Sequence, residues 1–200
     1  MTSRIILAAL LAALASPSLG QAPITTATAA PAPKDDLVRV ALDTSAGRIV
    51  LALDRGRAPV TTANFLAYVE SGKLNGESFY RAMPYGSGGL IQGGITSDAR
   101  KLLPPIGHEA PAITGLRHVA GAISMASLGP GTARSDFFIL TSDVPPFDGS
   151  FAVFGRVIEG MDVVKKILAA PVSPTKGEGS MKGQMLEPAV KIVKAARLAD

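Results

Sequence analysis

"VRVALDTSAGRIVLALD", Val38–Asp54, is the stretch whose pattern decides the fold. Val38, Val40 and Leu42 alternate with Arg39 and Asp43, the residues Ser45–Gly47 turn the chain, and Ile49, Leu51 and Leu53 resume the alternation. A period of two sends successive side chains to opposite faces, so the segment reads as a β-hairpin with one buried face.

Working outward, most of the chain follows the same grammar. Short strands are predicted over Ser78–Met83, Leu90–Gln92, Ala122–Ala126, Phe137–Leu140, Ala152–Val157 and Pro188–Ala196, separated by turn-rich loops. Two segments break the alternation. In "APVTTANFLAYVESG", Pro59 suits a first helical position, Thr62, Phe65, Leu66 and Val69 share a face, and Gly72 can end the helix. In "GMDVVKKILAA", Met161, Val164, Ile167 and Leu168 form an apolar stripe opposite Lys165 and Lys166. About eight strands with two helices predict a mainly β fold, an eight-stranded antiparallel closed barrel capped by two α-helices, because closure removes exposed edges. The loop "TKGEGSMKGQMLE", Thr175–Glu187, is expected to be the most mobile segment.

Length and composition set bounds. The 200 residues suit one domain, and 47% hydrophobic residues suffice for a core. The net charge of +4 is scattered, with no basic run of the kind that binds nucleic acid, and no nucleic-acid partner is expected. The chain has no Cys, which excludes disulfides, zinc–thiolate sites and cysteine nucleophiles.

The N-terminus carries an address. Arg4 precedes the apolar run "IILAALLAALA", Ile5–Ala15, and Ser18-Leu19-Gly20 is a small-x-small cleavage site before Gln21. Residues 1–20 read as a signal peptide, and the apolar run is short for a membrane span, which needs about 20 residues. Residues 21–36, "QAPITTATAAPAPKDD", read as a disordered Ala/Thr/Pro linker, and 37–198 as the folded domain. The expected destination is the periplasm, with secretion as the alternative, and no stable membrane insertion after cleavage.

The chemical inventory is sparse. There is no G-x-S-x-G, phosphate loop or dinucleotide fingerprint, and the histidines, His108 and His118, are ten residues apart in loop-like sequence. Neither metal nor cofactor is expected. In "SFYRAMPYGSGGLIQGG", Ser78–Gly94, a single Arg81 stands amid apolar and glycine-rich chain. A half-buried charge needs a partner, and if the partner is not protein it is substrate.

Three segments in order, "FYRAMP…LIQGG" (Phe79–Gly94), "GAISMASLGPGTARSDFFIL" (Gly121–Leu140) and "FDGSFAVFGRVIEGMDVV" (Phe147–Val164), resemble the cyclophilin-type peptidyl-prolyl cis-trans isomerases of the exported bacterial kind. The resemblance spans about Leu37–Leu198. It implies the capped eight-stranded barrel, isomerase activity on X–Pro bonds, and Pro-containing polypeptides as clients. It implies Arg81 as the catalytic arginine and Gln92 as the residue that orients it. It places Phe79, Leu90, Ala126, Ser127, Asp136, Phe138, Phe147 and Phe151 at the substrate: Ala126 and Ser127 on the edge strand, Phe138 as the floor of the proline pocket, Leu90 and Phe147 as walls. We expect a monomer.

The sequence also departs from the family pattern. Seven residues separate Pro84 from Gln92 where four are usual, and Gly89 stands where an aromatic wall is expected. Pro146 replaces an aromatic, Phe151 a polar rim residue, and Asp136 a substrate-binding Gln. On this reading Gly89 leaves a gap, a shallow pocket and a mobile loop, which an aromatic at position 89 in a shortened loop would repair. Asp136 is expected to pair with Arg81. Two functions remain: an isomerase, favoured by Arg81, Gln92 and Phe138, or a chaperone-like module that binds Pro segments with little turnover, favoured by Gly89.

Overall fold

The computed structural model describes residues 36–199. The signal-peptide and linker assignments fall outside the described residues, except for Asp36. That residue belongs to the domain rather than the linker: its carboxylate accepts from Nε and NH2 of Arg55 at 2.8 and 2.9 Å.

The strands are β1 (Leu37–Thr44), β2 (Gly47–Asp54), β3 (Ser78–Tyr85), β4 (Gly88–Gly94), β5 (Ala122–Met125), β6 (Phe137–Leu140), β7 (Ala152–Glu159), β8 (Val172–Ser173) and β9 (Met185–Arg197). The helices are α1 (Pro59–Glu70), α2 (Pro111–Thr114) and α3 (Met161–Leu168). Antiparallel pairing runs β1-β2-β7-β5-β6-β4-β3-β9, and β1 pairs with β9, which closes an eight-stranded barrel. The two-residue β8 is appended to β9. The third helix was not expected. α2 is one turn between Pro111 and a left-handed Gly115, too short to show a helical period.

Capping of α1 depends on distant chain. Ala58 at its N-cap offers no side-chain acceptor, and the carboxylate of Glu109 takes the free N–H groups of Val60 and Thr61 at 3.0 and 2.7 Å. The helix drives Phe65 into the barrel, where its ring meets Phe137 edge-on at 5.1 Å and Phe154 at 5.3 Å. Burying such a ring contributes about 1.5–3 kcal/mol. α3 buries Val164 and Ile167 and leaves Lys165 and Lys166 in water, as its stripe predicts.

The hairpin β1–β2 forms in the expected place, with Thr44 opposite Gly47. Its burial is more extensive than alternation implied. Val50, Ala52 and Asp54 are buried along with Ile49, Leu51 and Leu53. Ala52 and Asp54 line a cleft beneath the 115–120 segment, so this part of β2 is covered on both faces.

Two apolar clusters result. The inner one fills the barrel and includes Val40, Leu51, Phe65, Phe79, Ile91, Phe137 and Ile139. The outer one comprises Leu90, Ala122, Phe138, Leu140, Val144 and Val153, with Met83, Phe147 and Phe151 packed against it. β6 divides them strictly: Phe137 and Ile139 point in, Phe138 and Leu140 point out. The outer cluster is the foundation of the site.

Candidate functional site

β3 carries the decisive irregularity. Phe79 pairs with Gly93 and Arg81 with Gln92, so Tyr80 is an extra residue with no partner across the ladder. Such a β-bulge shifts the phase of everything beyond it. Strict alternation would put Phe79 and Arg81 on one face. Instead Phe79 is fully buried in the barrel core, while Tyr80 and Arg81 both face an outer groove. Phe79 is therefore a core residue and not, as the motif implied, a substrate contact.

The groove encloses about 510 Å³. Arg81, Leu90, Gln92, Ala126, Ser127, Asp136, Phe138, Phe147 and Phe151 all line it, brought together from β3, β4, β6 and the loops after β5 and before β7. Phe138 forms the floor. Phe147 and Phe151 stand edge-on to it at 5.7 and 5.3 Å and meet each other at 5.1 Å. Three mutually edge-packed rings give a rigid apolar surface. The backbone N–H of Ala126 is engaged by the carbonyl of Asp136 at 2.8 Å.

Arg81 is half-buried, and neutral acceptors hold it. Its NH1 donates to Oε1 of Gln92 at 2.8 Å, its Nε to Oε1 of Gln184 at 2.8 Å, and its NH2 approaches Sδ of Met83 at 3.2 Å. Among the described residues no carboxylate pairs with it. Burial, the largest influence, pulls its pKa below that of a free guanidinium. The cation is thus oriented without being neutralised, and its charge stays available to a ligand.

Asp136 does not pair with Arg81, contrary to expectation. Its Oδ1 accepts from the hydroxyl of Tyr80 at 3.2 Å, and Tyr80 in turn accepts from Nε2 of Gln92 at 2.7 Å. Burial raises the Asp136 pKa, the reverse of what a salt bridge would do. The same burial, with the charge of Asp136, pushes the Tyr80 phenol well up.

Gly89 leaves no gap either. It is buried opposite Pro84 in the β3–β4 hairpin, whose turn runs through Gly86 at φ +57°. A Cβ at Gly89 would lie 2.2 Å from the Met83 carbonyl oxygen and 2.9 Å from Pro84 Cα. The extra residues lengthen a paired hairpin and do not open the pocket; Met83 and Leu90 supply apolar wall there. An aromatic at position 89 has no room.

Several contributors had no local signal in the sequence. Gln184 comes from the segment expected to be mobile, which holds a 3₁₀ turn at Gly179–Met181 and reaches the groove through Met181. His118 is the second. Its Nδ1 lies 2.7 Å from Oδ1 of Asp148 and its Nε2 3.0 Å from Oγ of Ser124, and its ring stacks 6.0 Å beneath Phe138. A Ser–His–Asp row invites a nucleophilic reading, but His118 and Ser124 are sealed from solvent. Burial outweighs Asp148 and lowers the His118 pKa, so the ring is a neutral strut that ties the Phe147 turn to the barrel. Among the described residues no group of three His, Cys, Asp or Glu is placed to hold a metal.

Comparison with known proteins points one way. The family model described as "Cyclophilin type peptidyl-prolyl cis-trans isomerase/CLD" matches residues 38–197. Peptidyl-prolyl cis-trans isomerase A of Dickeya dadantii is 44% identical over 137 residues, covering 64% of this chain and 70% of that protein. A peptidyl-prolyl cis-trans isomerase of Streptomyces antibioticus is 41% identical over 150 residues, covering 69% and 87%. A crystal structure of a cyclophilin-type isomerase from Cryptosporidium parvum superposes with a TM-score of 0.70 over 82% of this chain and 99% of that one; at 24% identity it bears on the fold alone.

Proposed function

The chain belongs to the cyclophilin-type peptidyl-prolyl cis-trans isomerases, and from that premise we propose that Arg81 drives X–Pro rotation in the groove above Phe138, on exported polypeptides as they fold. The observation that carries the mechanism is the held but unneutralised guanidinium beside an apolar floor.

The chemistry follows from amide resonance. Rotation must break the partial double bond, against a barrier of about 18–20 kcal/mol. In the twisted state the proline nitrogen regains its lone pair and becomes a better acceptor. A guanidinium donor then bonds the twisted amide more strongly than the flat one, which is differential binding of the transition state. One charged hydrogen bond supplies about 1.5–3 kcal/mol, or about one to two decades of rate. The apolar floor helps in the same direction, because the flat amide is the more charge-separated form.

The test is a protease-coupled assay on a short X-Pro peptide. Arg81→Ala is expected to lose more than tenfold in activity with little change in thermal stability. Arg81→Lys is expected to recover little, since an ammonium lacks the planar fork. Wild-type activity in Arg81→Ala would overturn the mechanism. Tight peptide binding with no turnover in the wild type would favour the binding-module reading, whose main support, a gap at Gly89, is gone. Export to the periplasm and monomeric action on Pro-containing clients belong to the same proposal. They rest on residues 1–20 and are checked by recovering from the periplasm a monomer that begins at Gln21.

A further inference from the structure

We propose that Tyr80 and Asp136 are positioning residues for Arg81: with Gln92 they form a one-way hydrogen-bond relay that ends on an acceptor-only carboxylate and so fixes which end of the Gln92 amide faces the guanidinium. This deepens the reading of Arg81 as the active donor and rests on it.

The relay is continuous. Arg81 NH1 donates to Gln92 Oε1 at 2.8 Å, Gln92 Nε2 donates to the Tyr80 oxygen at 2.7 Å, and the Tyr80 hydroxyl donates to Asp136 Oδ1 at 3.2 Å. Every donor points the same way, and the last link is the longest. A guanidinium has no acceptor and an ionised carboxylate has no donor. With those two ends fixed, the two amphoteric groups between them have one consistent arrangement: Tyr80 gives its proton to Asp136, so its oxygen receives from Gln92, so Gln92 turns its oxygen toward Arg81. Protonating Asp136 removes the constraint. The carboxylic acid can then donate to Tyr80, Tyr80 can donate to Gln92 Oε1, and the Gln92 NH2 swings toward the cation it had been holding.

The surroundings are arranged for this relay. The bulge that makes Tyr80 an extra residue is what puts it on the same side as Arg81. Gly94 gives Asp136 its space, because a Cβ there would lie 2.2 Å from Oδ1. The ionisable groups around Asp136 are Tyr80 on β3, Tyr68 of α1, whose phenol feels the Asp136 charge, and Arg134 two residues earlier; none forms an ion pair with it among the described residues. Burial without a cationic partner raises the Asp136 pKa, which brings its titration closer to working pH.

The experiment compares wild type, Tyr80→Phe and Asp136→Asn, both substitutions being nearly isosteric. Peptide kinetics and the NMR resonances of the Gln92 side-chain amide and Arg81 Nε–H are followed together against pH. In the wild type, kcat is expected to fall toward acid with a midpoint above that of an exposed aspartate, while KM stays nearly constant, and the resonances should move with the same midpoint. Tyr80→Phe should lower kcat about three- to tenfold at neutral pH. Both variants should lose the acid limb and the linked resonance shift. An acid limb that survives both substitutions, or wild-type kcat in Tyr80→Phe, would overturn the relay. An Arg81→Ala protein with full activity, beside pH-linked Gln92 resonances in the wild type, would reject Arg81 as the donor and leave the relay standing.

Discussion

Arg81 Nε donates to Gln184 Oε1 at 2.8 Å across 103 residues of chain. The contact ties the groove's only held cation among the described residues to the segment before β9. Gln184 is itself steadied by its own Nε2, which donates to the Ser180 carbonyl at 2.8 Å. Losing one of two neutral acceptors frees the guanidinium to rotate. Gln184→Ala is expected to lower kcat/KM about three- to tenfold with little change in Tm. Gln184→Glu should cost more, because a carboxylate at that distance would occupy the charge that substrate needs. Peptide assays on both variants, with thermal melts, check the pair. Equal activity in all three proteins would leave Gln184 a bystander.

Gly89→Ala should destabilise the hairpin. The added Cβ meets backbone, the Met83 carbonyl oxygen at 2.2 Å, and the φ of +152° is one that L side chains rarely adopt. A cost of about 1–3 kcal/mol follows from such strain, seen as a lower midpoint in urea. Gly89→Phe should be worse still. A gain in peptide turnover on filling position 89 would mean that the β3–β4 hairpin can shift to make a wall.

His118 makes stability depend on pH. Its folded-state pKa is depressed, chiefly by burial, so the unfolded chain takes up a proton first. Its contribution is fully present above the unfolded value of about 6.5 and is lost as pH falls through the lower folded value. Asp148, whose pKa is also lowered once its bonds to His118 and Arg117 outweigh burial, adds a second loss at lower pH, below the ordinary aspartate range. Urea unfolding of wild type and His118→Asn between pH 7 and pH 5 should show a slope in the first that the second lacks. Parallel curves would remove His118 as the source.

Asp136 should show the opposite sign. Its pKa is raised in the folded state, so the folded protein holds the proton more tightly, and that stabilisation is lost as pH rises through the folded value. At neutral pH the ionised group is a net cost. Asp136→Asn is therefore expected to raise Tm at pH 7 and to leave it nearly unchanged once wild-type Asp136 is protonated, even as catalysis declines. A destabilised Asp136→Asn at pH 7 would mean that its bond from Tyr80 matters more than its desolvation.

Much of this protein was legible in the chain itself. Alternation at Val38–Leu42 and Ile49–Leu53, the Pro-led helix at Pro59 and the stripe of Val164 and Ile167 each reflect a local period, and a closed barrel follows from how many such strands there are. The motif around Arg81 and Gln92 was visible for the same reason: it lies on neighbouring paired strands close in sequence. The rest depended on events that leave no period. One bulged residue at Tyr80 reversed the facing of everything after it, sending Phe79 into the core and letting Tyr80 and Arg81 share the groove. Gln184, Asp136 and Glu109 act on partners 103, 56 and 48 or more residues away, where no spacing rule reaches. Whether Asp136 would meet Arg81 directly or through Tyr80 and Gln92 was a matter of ångströms, settled by where barrel closure places each strand. Sequence determines which residue types can do the chemistry and which face of a strand is apolar. Only tertiary packing decides which polar atoms come within 3 Å of one another, because that distance is the sum of every register and bulge between them.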